Sequence, residues 1–176
     1  MGMNTNARDA LHRRHGLDEL GGPAGRGTLD AEASRIADGL ESATLPRTEW
    51  THRAHVLAAA ALVRRHGGAE ALARLRLAIP RYNEATGTAN TDTSGYHDTL
   101  TVFYTWAIER LVAGGLSTLA ILWHPLTSPT APRSWWDHET LFSSEARRTF
   151  VPSTLALPGD PAPSDLVERD RLALTA

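Results

Sequence analysis

Apolar residues return every three or four positions along most of this chain, and nowhere do they alternate regularly with polar ones. The first spacing belongs to helices and the second to half-buried strands, so the pattern predicts an all-α protein. Leu29, Ala33, Ile36, Ala37 and Leu40 form one stripe. Thr28 precedes it as a candidate N-cap, and Asp30 and Glu32 fall in a first turn where the helix dipole favours carboxylates. A first helix over 28–42 follows, ended before Pro46. A second, over 48–66, stops at Gly67 and Gly68. Arg53, Ala60 and Arg64 make one narrow stripe on it, and nearly everything else is apolar. A helix apolar round most of its circumference is mostly buried. His52 and His55 lie away from that stripe, beside Val56, Ala59, Leu62 and Val63, so both imidazoles are expected to point inward.

A third helix is predicted over 69–85, with Leu72, Leu75, Ile79 and Tyr82 on its inner face. Pro80 lies inside it and predicts a kink or a new segment. The small polar run 86–95 reads as a loop with Asn90, Asp92 and Ser94 as turn formers. A fourth helix, from 95 or 96 to 113, turns His97, Leu100, Thr101, Tyr104, Ile108 and Leu111 inward. A fifth spans 116–124 and ends at Pro125. Short helical pieces are expected near 134–140 and 144–150. The glycine-rich 1–27 and the proline-bearing 157–176 read as flexible tails around a helical domain at 28–156. The predicted architecture is an irregular bundle of about five helices with short C-terminal helical pieces.

Composition narrows the chemistry. A chain of 176 residues, 41% hydrophobic, is long enough for one domain with a real core. The net charge of −2 speaks against a nucleic-acid surface, which needs a basic face. No apolar run approaches the roughly 18 residues of a membrane span, and no apolar segment follows Arg13 and Arg14 as a signal peptide would require. A cytoplasmic location is expected. There is no cysteine, which removes disulfides, thiolate metal sites and Cys nucleophiles. There is no lysine either, which removes Schiff bases and a Walker-type phosphate lysine.

What remains is histidine with oxygen-bearing partners. Residues three apart on a helix stand about 60° apart around the axis and about 4.5 Å along it, so His52 and His55 can reach one ion. His97, placed in the first turn of the fourth helix, is a third candidate ligand, its lone pair kept free by the dipole. His52, His55 and His97 would hold a divalent ion such as Zn, Fe, Cu or Ni and leave a position for water or substrate. Tyr82 or Tyr104 would donate a proton, with Asp92 as the group that orients an imidazole. The spacing is not that of a metalloprotease, since Arg53 and Ala54 stand where a general-base Glu would be needed.

The leading expectation is a small metal-dependent enzyme that activates water or oxygen on a small organic substrate. The alternative is a metal-free small-molecule binding or sensing module. A third is an interaction protein using Trp135, Trp136 and the two tails. The apolar second helix leaves a homodimer open, because a second copy could cover it as readily as the chain itself.

Trp50-Thr51-His52-Arg53-Ala54-His55, Tyr82-Asn83-Glu84, and Asn90-Thr91-Asp92-Thr93-Ser94-Gly95-Tyr96-His97 with Thr101 resemble a family of bacterial proteins labelled hypothetical. The resemblance spans about residues 45–155, including Leu141 to Arg147, and implies a shared site but no particular activity. The three-histidine arrangement is also similar in idea to DinB-like metal bundles, whose histidine spacing differs, so that likeness concerns architecture only.

Overall fold

The computed structural model describes residues 23–155 and 162–173. Among these residues there are eight α-helices and no strand. They are α1 (Pro23–Glu41), α2 (His52–His66), α3 (Gly68–Ala85), α4 (Asp98–Ala113), α5 (Thr118–Leu122), α6 (His138–Leu141), α7 (Ser144–Arg148) and α8 (Ser164–Ala173). Single 3-10 turns lie at Arg47–Glu49, Pro125–Thr127 and Ala131–Ser134. No helix among them is long and apolar enough to cross a membrane.

Helix α2 is the centre of the bundle, as its composition requires. Every residue from Val56 to Val63 is buried. Ala58 to Ala61 have high helix propensity and no side-chain entropy to lose, and their small size lets neighbours pack close. Helices α1, α3, α4 and α5 all pack against it. The chain itself thus covers the apolar surface that had left room for a second copy. Arg53 and Arg64 do lie outside, paired with Glu32 and the Leu116 carbonyl, but Ala60 between them is buried. Helix α2 starts after Thr51, whose hydroxyl accepts from the Ala54 N–H at 3.3 Å. It ends at Gly67, where φ is +78°, a conformation that costs glycine little.

A second apolar cluster is aromatic. Phe103 and Trp106 of α4 meet Trp135 and Trp136, backed by Leu141, Val151 and Leu166. The Trp136 indole N–H donates to the Pro152 carbonyl at 2.9 Å. The tryptophan pair therefore packs the C-terminal segments onto α4.

Several expected boundaries move. Thr28 is no N-cap, because α1 begins at Pro23; residues 1–22 of the expected N-terminal tail lie outside the described residues. The second helix starts at His52, the preceding residues forming the 3-10 turn. Helix α3 runs on through Pro80. His97 is the N-cap of α4 rather than part of its first turn. The expected C-terminal tail is wrong for 164–173: α8 docks on α3, burying Leu166, and Asp170 accepts from Arg76 at 2.5 Å. Proline at 158, 161 and 163 hid a short amphipathic helix whose holds include Leu166, Val167 and two ion pairs.

One of those ion pairs, Arg76–Asp170, belongs to a largely buried polar knot. Arg76 Nε and Nη2 both donate to the Asp98 carboxylate at 2.9 Å, and Nη1 donates to Asp170. The Tyr96 hydroxyl donates to Asp98 at 2.6 Å. Both aspartates are only 4% exposed. Paired and hydrogen-bonded charges are the form in which charge survives burial. At the rim, Arg169 pairs with Glu109 at 2.9 Å.

Candidate functional site

Between α2, α3 and α4 lies a cavity of about 470 Å³, within the usual size range for small-molecule sites. Its walls are built by local rules. Trp50 precedes the Thr51 cap, and His55 is the fourth residue of α2. Those are the two positions that pack as a hydrophobic staple at a helix start. The rings do meet, edge to face, with centroids 3.9 Å apart. The turn that starts the helix thus sets the His55 ring against Trp50, and the Tyr82 ring of α3 also meets Trp50, with centroids 5.2 Å apart.

His55 lines the cavity and keeps exposed surface, yet protein atoms crowd closely round its ring. Burial, then the neighbouring His52, lowers its pKa to about 4. It is neutral at pH 7, and neither ring nitrogen takes a hydrogen bond among the described residues.

His52 also lines the cavity. Its Nε2 lies 2.7 Å from the Thr127 carbonyl. A carbonyl only accepts, so Nε2 carries the proton and the Nδ1 lone pair is left free.

Tyr82 is 1% exposed, lines the cavity, and its hydroxyl has no hydrogen-bond partner. Burial raises its pKa; Arg47 pulls the other way and Glu49 adds to the rise. Tyr104 is in the wall as well, but its hydroxyl donates to the Ser128 carbonyl at 2.9 Å, and burial pushes its pKa up to about 12. Both stay protonated at neutral pH, and only Tyr82 has a hydroxyl to spare.

The third histidine plays another part. His97 faces the same cavity, but Nε2–H donates to the Leu141 carbonyl at 2.8 Å and Nδ1 accepts from the Leu100 N–H at 3.4 Å. As N-cap it satisfies a backbone donor of α4, and it also ties α4 to the C-terminal segment. Burial lowers its pKa most, although the Leu141 carbonyl works against the shift. Its lone pair is already used. Among the described residues no three of His, Asp or Glu come together as a metal-holding group. The expected triad is therefore not assembled: His52 and His55 keep free nitrogens, and His97 does not.

Asp92 is not in the site either. It is exposed and pairs with Arg148 at 2.5 Å, because the 86–97 loop turns it outward. The loop is shaped by Asn90, which donates to the Pro80 carbonyl at 3.0 Å and accepts from Asn83 Nδ2 and the Tyr96 N–H. Gly95 passes under it at φ +77°, where a Cβ would sit 2.5 Å from the Ala89 carbonyl oxygen. This packing needs glycine both for its φ and for the missing side chain. Thr101 bonds the His97 carbonyl one turn back at 3.0 Å.

Several wall residues had no assigned role in the sequence, among them Arg47, Trp50 and Asn83. The staple position marks Trp50, but nothing local marks Arg47. Among the described residues no Asp or Glu lines the cavity. Family models, curated proteins and solved structures, searched for likeness to this chain, contain no match.

Proposed function

We propose that the protein binds a small organic molecule in the cavity between α2, α3 and α4, with Tyr82 as donor and His55 as acceptor. The Tyr82 hydroxyl carries the reading. A buried hydroxyl without a partner costs about 1–3 kcal/mol, and native structures leave few such groups. The hydroxyl oxygen is sealed in the wall beside the cavity, and a ligand acceptor that parts the wall there recovers that cost. The neutral His55 ring offers a lone pair nearby, and Ala59, Leu75, Ile79 and Leu100 supply an apolar wall. A mostly apolar cavity with a few convergent polar groups is the usual form of a ligand site.

The test is a fragment screen by protein-observed NMR on the full chain. Binders should shift the signals of Trp50, His55 and Tyr82, and Tyr82→Phe should weaken them about tenfold. A library that leaves those signals unmoved refutes the proposal.

A second reading keeps a metal, on His52 and His55 alone. The observation that favours it is the His52 Nε2–H bond to the Thr127 carbonyl. Metal-binding histidines commonly fix their tautomer in this way, with the other nitrogen left for the ion. Water or substrate would fill the remaining positions, and the ion would make bound water more acidic. Titration calorimetry with Zn²⁺, Fe²⁺, Cu²⁺ and Ni²⁺ tests it. His52→Ala and His55→Ala should each abolish uptake, while His97→Ala should leave it intact. Wild-type protein that ignores all four ions removes this reading.

A further inference from the structure

Given that the cavity is a small-molecule site, we infer that its ligand is a monoanion, a carboxylate on an aromatic or aliphatic body, held at the mouth by Arg47. Arg47 lies on the 3-10 turn just before α2 and lines the cavity. Its guanidinium has no hydrogen bond or ion pair among the described residues. The nearest acidic candidate in sequence is Glu49, on the same turn, and it is taken by Arg35 at 2.6 Å. Arg53, Arg65, Arg76 and Arg148 all have carboxylate partners. Among the described residues, Arg47 is thus a cation without a counter-charge at the edge of a cavity lined by no carboxylate.

Arginine presents a planar fork matched to a carboxylate. The Tyr82 hydroxyl is a second donor, and Arg47 is the foremost charge acting on it. Beyond them Trp50, Ala59, Leu75, Ile79 and Leu100 give the wall an apolar part that favours an apolar body, among uncharged polar side chains such as Asn83 and Thr101. One positive charge balances a carboxylate; it leaves a phosphate monoester's second charge facing the uncharged walls, at a desolvation cost. An ammonium ligand would meet Arg47 as a like charge.

The test uses the full chain at pH 7.5 and matched probes on three frames. These are 3-phenylpropionate, 1-naphthylacetate and hexanoate, each with its primary amide and the corresponding amine, plus 1-naphthyl phosphate. Affinities come from NMR titration of the cavity signals. On the frame that binds best, the carboxylate should bind about fivefold or more tighter than its amide, with the amine weakest. The preference should shrink between 20 and 300 mM NaCl, on the order expected from screening at an exposed arginine. Arg47→Gln, at an exposed position, should bring the acid down to the affinity of its amide and leave the amide unchanged. Tyr82→Phe should weaken acid and amide alike.

An amide that binds as well as its acid, or a preference that survives Arg47→Gln, overturns the anion while leaving the small-molecule site in place. A phosphate that binds tighter than 1-naphthylacetate overturns the carboxylate. If no probe of any charge moves Trp50, His55 or Tyr82, the site reading falls with it.

Discussion

Two polar clusters sit on opposite terms with the same helices. Around Arg76, every strong donor faces an acceptor: Asp98 takes two bonds from the guanidinium and one from Tyr96, and Asp170 takes another. Around His55, the donors and acceptors are left open: Tyr82 has no partner, and the neutral imidazole takes no hydrogen bond among the described residues. The first cluster closes on itself and joins α3, α4 and α8. The second faces a cavity, and its rings from α2 and α3 meet on Trp50 without any hydrogen bond from the His55 ring or the Tyr82 hydroxyl among the described residues. A satisfied network supports a fold, whereas unsatisfied groups lining a cavity are where native proteins make room for something else. The two are close in sequence, with Tyr96 of the knot and His97 of the cavity wall adjacent.

The sharpest way to break this contrast is Arg76→Ala. It leaves two buried aspartates unpaired and should cost about 3–5 kcal/mol, read by denaturant unfolding. It should also release α8, making residues 164–173 protease-sensitive before the rest of the bundle unfolds. A loss under about 1 kcal/mol would mean the knot is not structural.

Next in size is a pH effect at His55. Its folded pKa of about 4 lies below the ordinary 6.5. Between those values the unfolded chain takes up a proton that the native state refuses, so stability falls as pH drops from about 6.5 to about 4. Above that window the group contributes no slope. His97 is shifted in the same direction. Tm measured across pH 4–7 should therefore decline less steeply in His55→Gln than in wild type. Equal slopes would show that His55 titrates normally.

Tyr82→Phe should move stability in the opposite sense from Arg76→Ala. Removing a buried hydroxyl that has no partner should leave the unliganded protein as stable or up to about 1 kcal/mol more stable, while ligand affinity drops. A clear destabilisation would reveal an internal partner for the hydroxyl. Smallest of all is Asp92→Asn. Its pair with Arg148 is exposed on both sides and should be worth under about 0.5 kcal/mol, with no change in binding. A large functional loss there would restore Asp92 to the site.

Local pattern was enough to read the helices. The stripes on α1, α3 and α4, the glycine stops and the all-round apolar α2 are properties of neighbours a few residues apart, and they set the all-α class, the central helix and the inward side of Tyr82 and Tyr104. Even the Trp50–His55 contact follows from a cap rule. What each polar atom does was decided at long range. His52 is oriented by Thr127, 75 residues on, and His97 by Leu141, 44 residues on. Asp92 is drawn outward by Arg148, and α8 is held by Arg76 across 94 residues. Helical spacing places a side chain on a face, but a hydrogen bond needs its partner within about 3 Å. The three imidazoles therefore look alike in the sequence. Only the packed chain separates the two that keep a free lone pair from the one that uses both nitrogens to hold the fold together.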